Sequence, residues 1–256
     1  ELHDTAQLSG ARLVHACGFD SIPSDLGALL LTTELQNRGH QVASIQTTVR
    51  RLRGGLSGGT FASMLALIQD AVRDKNLRRI LGHPYSLNPE GQRTGADGSD
   101  RTGARFDPDH NRWTAPFIMA GINNRIVRRS AALLGYGNEE FRYDEAMACP
   151  SKGRAKMMAR TLQAFTVFAA LSPTRWLLRR FLPSPGEGPS KEQRERGCFE
   201  LHLVARAAEH TEPVGRVIVA AQGDPGYSQT AVMLAQSARL LAEGQIKTDG
   251  GVHTPA

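Results

Sequence analysis

The feature that most constrains the fold is an apolar run that ends in a glycine and leads directly into a helix. Residues 11–17 have the composition of a short buried strand, and Gly18 ends it. After a tight loop, Pro23 opens a helix that Ser21 or Ser24 would cap. The helix carries leucines at the spacing of a core-facing stripe: Leu26, Leu29, Leu30 and Leu35. Strand, loop and helix in this order form the βα half of a parallel sheet, in which ligands bind beyond the strand's carboxyl end.

The rest of the chain alternates between strand and helix periodicity and predicts a mixed sheet. We expect strands at 42–53, 141–147, 199–203 and 217–221 and helices at 61–81, 115–134, 152–182 and 230–242, the third of these helices being broken at Ser172. Residues 82–112 lack periodicity and predict a long surface loop. The predicted fold class is therefore α/β and α+β: one βα unit of a Rossmann-type parallel sheet, followed by a mixed-sheet α+β domain.

Composition excludes several classes of protein. Among the 256 residues, 40% are hydrophobic and 22% are charged, which is close to the globular average and excludes wholesale disorder. No apolar run approaches the ~20 residues that span a bilayer. The three cysteines lie far apart without CxxC spacing. We therefore expect no disulfide framework, no metal site and a reducing, cytoplasmic location.

The net charge of +6 is concentrated in one region. Residues 151–200 contain ten Lys and Arg against four Asp and Glu, so this stretch alone accounts for the excess. Within it, residues 152–182 place Trp176 and Phe181 beside arginines. This combination fits peripheral contact with an anionic surface such as the inner face of the plasma membrane. It also fits a helix pair that is packed on the domain with its arginines in water. Because only 6% of residues are aromatic and no recognition motif accompanies the charge, we expect no nucleic-acid partner.

Two loops hold candidate sites, and each has a plain structural alternative. The loop at 17–23 joins a strand end to a helix start, where free N–H groups hold anions or carbonyl oxygens, and Asp20 and Ser21 offer polar groups there. The alternative is an ordinary capped turn. Residues 54–60 contain four glycines in seven positions and fit either a backbone nest for a phosphate or carboxylate or a turn capped by Thr60. This second loop matches neither a P-loop nor GxGxxG.

Tyr143 and Glu145 lie on one face of a predicted strand. They fit an acid/base pair and a cross-strand packing position equally well. Several catalytic motifs are missing, because the sequence contains no GxSxG, no HExxH and no EF-hand loop. We expect His15 to be a satisfied core residue and residues 223–227 to form a structural turn.

The thirteen residues from His15 to Gly27, HACGFDSIPSDLG, closely resemble the signature of the saccharopine dehydrogenase-like oxidoreductases. The most similar branch is the bacterial trans-acting enoyl reductases, which act on lipid chains. Further matches follow in order at 55–60, 113–120, 185–190 and 223–227. The resemblance therefore covers nearly the whole chain.

The resemblance implies hydride transfer from NADPH to a polarised double bond, such as the β-carbon of a lipid-linked enoyl ester. It places the first loop at the nicotinamide end of the cleft, with expected cofactor contacts at Cys17, Gly18, Phe19 and Pro23. Asp20 and Ser21 are the expected catalytic residues. Backbone N–H groups near them or the Ser21 hydroxyl would stabilise the enolate oxygen, and Asp20 would supply a proton only if burial raised its pKa. The second loop would bind substrate through Ser57, Gly58, Gly59 and Thr60.

The resemblance also implies that the chain is a fragment. Family members begin with a strand and a GxGxxG loop that binds the cofactor's pyrophosphate, and this sequence contains no GxGxxG. We therefore expect residues 1–40 to end a Rossmann-type domain, 41–227 to form a substrate and dimerisation domain, and 228–256 to form a closing helix and tail that return to the first domain. The fragment alone should bind NADPH poorly. The alternative is a non-catalytic, lipid- or membrane-associated member of the family. A homodimer is also expected.

Overall fold

The computed structural model describes residues 2–55, 58–137, 140–184 and 186–256. Its helices are α1 (His3–Ser9), α2 (Ile22–Asn37), α3 (Gly58–Arg73), α4 (Lys75–Gly82), α5 (Ala120–Leu134), α6 (Lys152–Ala170), α7 (Ser172–Phe181), α8 (Lys191–Glu195) and α9 (Thr230–Ala242). Its strands are β1 (Arg12–Val14), β2 (Val42–Arg53), β3 (Arg105–Asp107), β4 (Arg112–Pro116), β5 (Arg142–Cys149), β6 (Cys198–Ala207), β7 (Gly215–Gln222) and β8 (Gly251–His253). A π-helical turn at Pro225–Gln229 leads into α9.

Six strands form a mixed sheet in the order β3-β4-β5-β2-β6-β7. β2 lies inside this sheet, parallel to β5 and antiparallel to β6. The other pairs of the sheet are antiparallel. A separate parallel pair joins β1 to β8, so segments near both ends of the sequence are hydrogen-bonded to each other. The predicted combination of α/β and α+β elements with a mixed sheet is confirmed.

The main core lies between this sheet and the helices α2 and α5. Its fully buried members include Val42, Ile45 and Val49 of β2 and Leu201 and Leu203 of β6. Branched side chains of this kind pack well on the pleated surface of a strand with a neighbour on each side. β7 is an edge strand and alternates between half-buried and exposed positions, as expected for a strand that packs on one face only.

The buried face of α2 differs from the one that its leucine spacing predicts. Leu26 and Leu30 are exposed, and the helix instead turns Gly27 and Ala28 toward the sheet, although Leu35 is buried as predicted. A Cβ atom at Gly27 would come within 3.1 Å of side chains on β6 and β7. Small residues allow this close approach, and close packing sets the orientation of the helix.

Two predicted helices have different boundaries in the structure. The helix expected at 61–81 is divided into α3 and α4 at Asp74, whose carboxylate accepts a hydrogen bond from the N–H of Asn76. The helix expected at 115–134 begins only at Ala120, because Ala115 and Pro116 belong to β4 and three connecting residues follow the strand. The break between α6 and α7 and the bounds of α9 are as predicted.

The segment predicted as a long surface loop, 82–112, is held against α5 by buried arginines. Arg128 forms an ion pair with Asp97 at 2.6 Å, and Arg125 forms one with Asp100 at 2.8 Å. The segment also contains β3, which pairs with β4 at the edge of the sheet. The prediction of an irregular surface loop is therefore wrong in part, since tertiary contacts order a segment that has no periodicity of its own.

β1 is largely exposed, although a buried strand is predicted. Among the described residues, β8 is its only strand partner, so one edge of β1 stays unpaired. His15, which follows the strand, is exposed as well, and its prediction as a core residue is wrong.

No helix in the described part of the chain combines the length and apolar character needed to cross a membrane. Cys17, Cys149 and Cys198 are buried and free. Nor do the described residues bring three or more His, Cys, Asp or Glu side chains together in a way that would hold a metal ion.

Candidate functional site

The loop between β1 and α2 is packed against the start of α9. A Cβ atom at Gly18 would lie 2.8 Å from the methyl group of Thr230. The N–H of Phe19 donates to the Thr230 hydroxyl at 3.0 Å. The centres of the Phe19 and Phe199 rings are 4.9 Å apart. Gly18 is therefore required by the close approach of α9. At Ala16 the loop backbone adopts a left-handed conformation, with φ of 58°, which is strained for a residue other than glycine.

The two expected catalytic residues have opposite environments. Asp20 is exposed at the outer edge of the loop, and partial desolvation raises the pKa of its carboxyl. Ser21 is fully buried at the N-cap position of α2, but its hydroxyl does not cap the helix. That hydroxyl donates instead to Oδ1 of Asn123 at 3.0 Å. Asp20 can thus retain its proton to higher pH than a free aspartate, while Ser21 supports the loop from inside.

Beneath the loop lies a polar network that is closed to solvent, which we call the Glu145 network. Its members are Ser21, Ser24, Thr47, Asn123, Tyr143 and Glu145, each at most 1% exposed. The Tyr143 hydroxyl donates to Oε1 of Glu145 at 2.6 Å, and Nδ2 of Asn123 donates to Oε2 of Glu145 at 2.9 Å. The Thr47 hydroxyl donates to the Tyr143 oxygen at 3.0 Å. Tyr143 and Glu145 are thus hydrogen-bonded to each other inside the protein.

Burial dominates the electrostatics of this network. Desolvation raises the pKa of Glu145. It also raises the pKa of Tyr143 well above its usual value, and the neighbouring charge of Glu145 raises the Tyr143 pKa further. Tyr143 therefore keeps its proton and acts as a donor. Because the members are shielded from solvent, the network ties α2, α5, β2 and β5 together under the loop and presents no group to a substrate.

Sequence reasoning missed Asn123, which connects the loop to the Glu145 network. It accepts from Ser21 and donates to both Ser24 and Glu145. The sequence of α5 contained an indication of its role, because Asn123 lies one helical turn before the apolar Val127 and shares its buried face. A polar side chain in phase with an apolar stripe must find a partner in the core, and that argument would have found Asn123.

A second buried carboxylate, Asp25, lies in the first turn of α2. Its Oδ2 accepts from the Ser130 hydroxyl at 2.9 Å and from the N–H of Ala256 at 3.0 Å. Its Oδ1 has no hydrogen-bond partner among the described residues. Burial raises the pKa of Asp25 to about 7, although the two hydrogen bonds act in the opposite direction. The charge of this core group therefore changes near neutral pH.

The glycine-rich motif after β2 is packed against other parts of the chain. The N–H of Gly58 donates to the carbonyl of Glu187 at 3.0 Å, and the N–H of Gly55 donates to Oδ1 of Asp224 at 3.0 Å. A Cβ atom at Gly58 would overlap the carbonyl oxygen of Ser184. Gly55 and Gly58 thus use their amides inside the protein, and the backbone nest predicted as one alternative is not available at these two residues.

Three motifs that carry the family resemblance meet at this point. Asp224 is fully buried, and its Oδ2 accepts from the N–H of Tyr227 at 2.7 Å. The Tyr227 hydroxyl donates in turn to the Glu187 carbonyl at 3.0 Å. Of the expected substrate contacts, Gly58, Gly59 and Thr60 form the first turn of α3, and Ser57 lies outside the described residues.

Gly58→Ala is expected to lower the free energy of unfolding by about 2–3 kcal/mol, because the new methyl group meets backbone and not a mobile side chain. The matched control is Gly82→Ala in the last turn of α4, where a Cβ atom meets nothing within 4 Å. That control should be neutral or stabilising by up to about 1 kcal/mol. Urea unfolding measures both, and equal stabilities would contradict the close packing of Gly58.

An apolar groove lies along α6, next to the glycine-rich motif. It encloses about 490 Å³, within the range of small-molecule sites. Its walls include Leu52, Phe61, Ile118, Met147, Leu162 and Phe165, and Thr161 is the one polar side chain among the described residues that line it. Leu52 precedes the glycine-rich motif and Phe61 follows it, so the chain on either side of the expected substrate loop contributes to the groove.

A second cavity of about 370 Å³ shares Pro116 and Leu162 with this groove. It also runs along α6 and contains polar side chains, Arg101 and Gln163. Arg101 is neutralised by an ion pair with Asp144. The two cavities thus lie side by side along α6, the larger one almost wholly apolar and the smaller one with polar side chains in its lining.

The structure leaves little of the expected cofactor contacts at the surface, because Cys17, Gly18 and Pro23 are buried and Phe19 is half-buried. Gly18 and Phe19 also pack on α9. The loop presents His15 and Asp20 to solvent at the strand end. The described residues provide no glycine cradle for a pyrophosphate at this strand end.

Comparison with known proteins gives relatives along nearly the whole chain. One relative is a protein of Mycobacterium tuberculosis that is provisionally named trans-acting enoyl reductase. It is 38% identical over an alignment of 275 positions, which covers 99% of this chain and 64% of that protein. The trans-acting enoyl reductases of Mycobacterium bovis and Mycobacterium ulcerans are each 32% identical over 278 residues, again 99% of this chain and 64% of the relative. No protein-family model and no solved structure matches the chain.

The chain thus spans 64% of the length of the curated relatives it matches. Identity at this level along an alignment of this length indicates common ancestry and confirms the predicted resemblance to the trans-acting enoyl reductases. The chain is a homologue of the trans-acting enoyl reductases.

Proposed function

We propose that the protein reduces the carbon–carbon double bond of a lipid-linked enoyl substrate with NAD(P)H, and that this chain supplies the groove for the substrate's acyl chain. The observation that carries the proposal is an apolar groove beside the glycine-rich motif in a homologue of enoyl reductases. Reduction of such a double bond requires a hydride, a proton and stabilisation of the developing enolate oxygen. NAD(P)H, when bound, supplies the hydride.

The chain's own residues bind and orient the substrate in this proposal. The groove walls remove the acyl chain from water, which contributes about 0.8 kcal/mol per buried methylene. Asp20 is the candidate proton carrier, because its carboxyl is exposed at the loop and its pKa is raised. The buried Ser21 positions that loop through Asn123 and does not contact the substrate.

The chain covers only part of its relatives' length, and we infer that binding of the whole cofactor also involves residues outside these 256. We propose a saccharopine dehydrogenase-like arrangement, in which a preceding GxGxxG segment binds the pyrophosphate and NADPH is the reductant. The 256-residue chain alone should accordingly bind NADPH more weakly than micromolar. We also propose that the protein is cytoplasmic and works at the inner face of the plasma membrane, a location that is tested separately from the reaction.

Leu162→Lys tests the groove. A cation among apolar walls should raise KM for a long-chain enoyl substrate by at least ten-fold, since burial of about two methylenes already accounts for that factor. KM for a short-chain substrate should change little. The matched control is Ala164→Lys, an exposed position on the same helix that does not line the groove.

Steady-state kinetics of the full-length protein with both substrates measures the effect. Equal changes in KM for the two chain lengths would show that the acyl chain binds elsewhere.

The second candidate function, a non-catalytic lipid-binding protein, is favoured by the burial of Ser21. It predicts long-chain binding without consumption of NADPH.

A further inference from the structure

The tip of the α6–α7 hairpin exposes a cluster of large apolar side chains outside the groove. We use the name tip for the last turn of α6, the connecting residue and α7, whose exposed apolar side chains include Phe168, Leu171, Trp176, Leu177 and Phe181, between 49% and 80% exposed. Scattered apolar residues are normal on a protein surface, but five within fourteen residues of one hairpin mark a contact site.

The same hairpin is strongly and uniformly basic. Between residues 152 and 182 the sequence has seven basic residues and no Asp or Glu: Lys152, Arg154, Lys156, Arg160, Arg175, Arg179 and Arg180. No described carboxylate forms an ion pair with Lys156, Arg160 or Arg180. Arg180 is thus a charge without a described ion-pair partner beside Trp176 at the tip, and Arg160 and Lys156 lie about two and three turns earlier on α6, where they are available to the same partner.

Hydrogen bonds at the turn hold the two helices as a fixed hairpin. The buried guanidinium of Arg175 donates to the Ala169 carbonyl at 3.0 Å and to the Ser172 hydroxyl at 3.1 Å. The guanidinium of Arg180 lies over the Trp176 ring, 5.4 Å from its centre. The apolar and basic side chains are thus displayed on one preformed element, which lowers the entropic cost of binding.

We propose that this tip docks on the surface of an anionic phospholipid membrane, with its aromatic and leucine side chains in the interface and its basic residues at the lipid phosphates. A membrane of this kind satisfies both the apolar area and the positive charge. A second copy of the chain does not satisfy the positive charge, because a two-fold symmetric contact would place one basic surface against another. A nucleic acid would neutralise the charge but leave the leucines in water.

The tip lies at the end of the helix that lines the groove. α6 contributes Leu162 and Phe165 to the groove and then continues to the tip at Phe168. A docked tip would therefore hold the groove close to the bilayer, from which a lipid-linked chain can enter. This consequence rests on the proposed function, whereas membrane docking itself does not.

Sedimentation of the protein with phosphatidylcholine vesicles, with and without phosphatidylglycerol, tests the proposal. We expect binding that requires phosphatidylglycerol and falls at high salt. Trp176→Ser with Phe181→Ser should lower the partition coefficient at least ten-fold, and Arg160→Glu with Arg180→Glu should do the same. The matched control is Leu8→Ser with Ile218→Ser, two apolar residues that are 91% and 60% exposed elsewhere.

A fluorescence measurement on a folded single-tryptophan variant provides a second test. The chain has two tryptophans, so Trp113→Phe leaves Trp176 as the only reporter, and its emission should shift to the blue on anionic vesicles. Equal partition of tip and control variants, no need for phosphatidylglycerol, or no emission shift would overturn the proposal. Self-association that is lost in the tip variants, without vesicle binding, would assign the tip to a second copy. Because no NADPH or enoyl substrate is present, these outcomes are separate from those of the reductase assay.

Discussion

Glu145→Ala is expected to lower the free energy of unfolding by about 3–5 kcal/mol. The substitution removes the acceptor of the Tyr143 hydroxyl and of the Asn123 amide, both of which are closed to solvent. Each buried donor left without a partner costs about 1–3 kcal/mol, and the vacated volume adds a cavity term. The loop at 18–23 should loosen as well, because Ser21 is held by Asn123.

Urea unfolding, followed by circular dichroism, measures this effect. The matched control is Glu34→Ala, which removes an exposed carboxylate and its ion pair with Arg38. Exposed pairs of this kind contribute up to about 1 kcal/mol. Hydrogen exchange at the N–H groups of Ser21 and Ile22 should also become faster in Glu145→Ala only. A stability equal to that of Glu34→Ala would mean that the network carries little of the fold's free energy.

Asp25→Asn is expected to reduce the fall in stability with rising pH that the natural chain shows between about pH 4 and 7. The folded pKa of Asp25 is about 7, above the value of 3.8 for an unperturbed aspartate, so the folded state binds this proton more tightly than the unfolded state. Over this interval the folded state holds more protons, and stability falls as pH rises. Above pH 7 both states are ionised and the contribution levels off.

The size of the effect follows from the shift in pKa. Between about pH 4 and 7 the natural chain should lose about 3 kcal/mol of stability through Asp25, and Asp25→Asn should lack this contribution. Asp249→Asn, at an exposed aspartate, is the matched control and should keep the natural slope. Denaturant unfolding at several pH values measures all three proteins. An unchanged slope in Asp25→Asn would contradict the buried environment given to this carboxylate.

The strands and helices with strong periodicity could be predicted from the sequence. Alternation from Phe141 to Met147 identified β5, and the bounds of β2 and α9 were found as the structure has them. β3 could not be found this way, because it is only three residues long and is ordered by pairing with β4. The orientation of α2 was missed because Gly27 packs closely on the sheet, which leucine spacing does not reveal.

The partners of the candidate site residues could not be predicted, because they come from distant parts of the sequence. Spacing placed Tyr143 and Glu145 on one face of a strand, but their connection to Ser21 runs through Asn123 of another helix. The glycines of the second loop suggested an open nest, and their contacts lie more than a hundred residues further on, at Glu187 among others. The groove along α6 combines five elements of the fold and has no local signature.

The protein is proposed to reduce a lipid-linked enoyl chain held in the groove along α6. The most direct test incubates the protein at its natural length with NADPH and trans-2-enoyl thioesters of short and long chain, and follows NADPH absorbance together with the mass of the acyl product. We predict a saturated product that has gained a hydride and a proton, with kcat/KM rising with chain length until the groove is filled. Absence of a saturated product for every chain length, or a kcat/KM independent of chain length, would contradict this function.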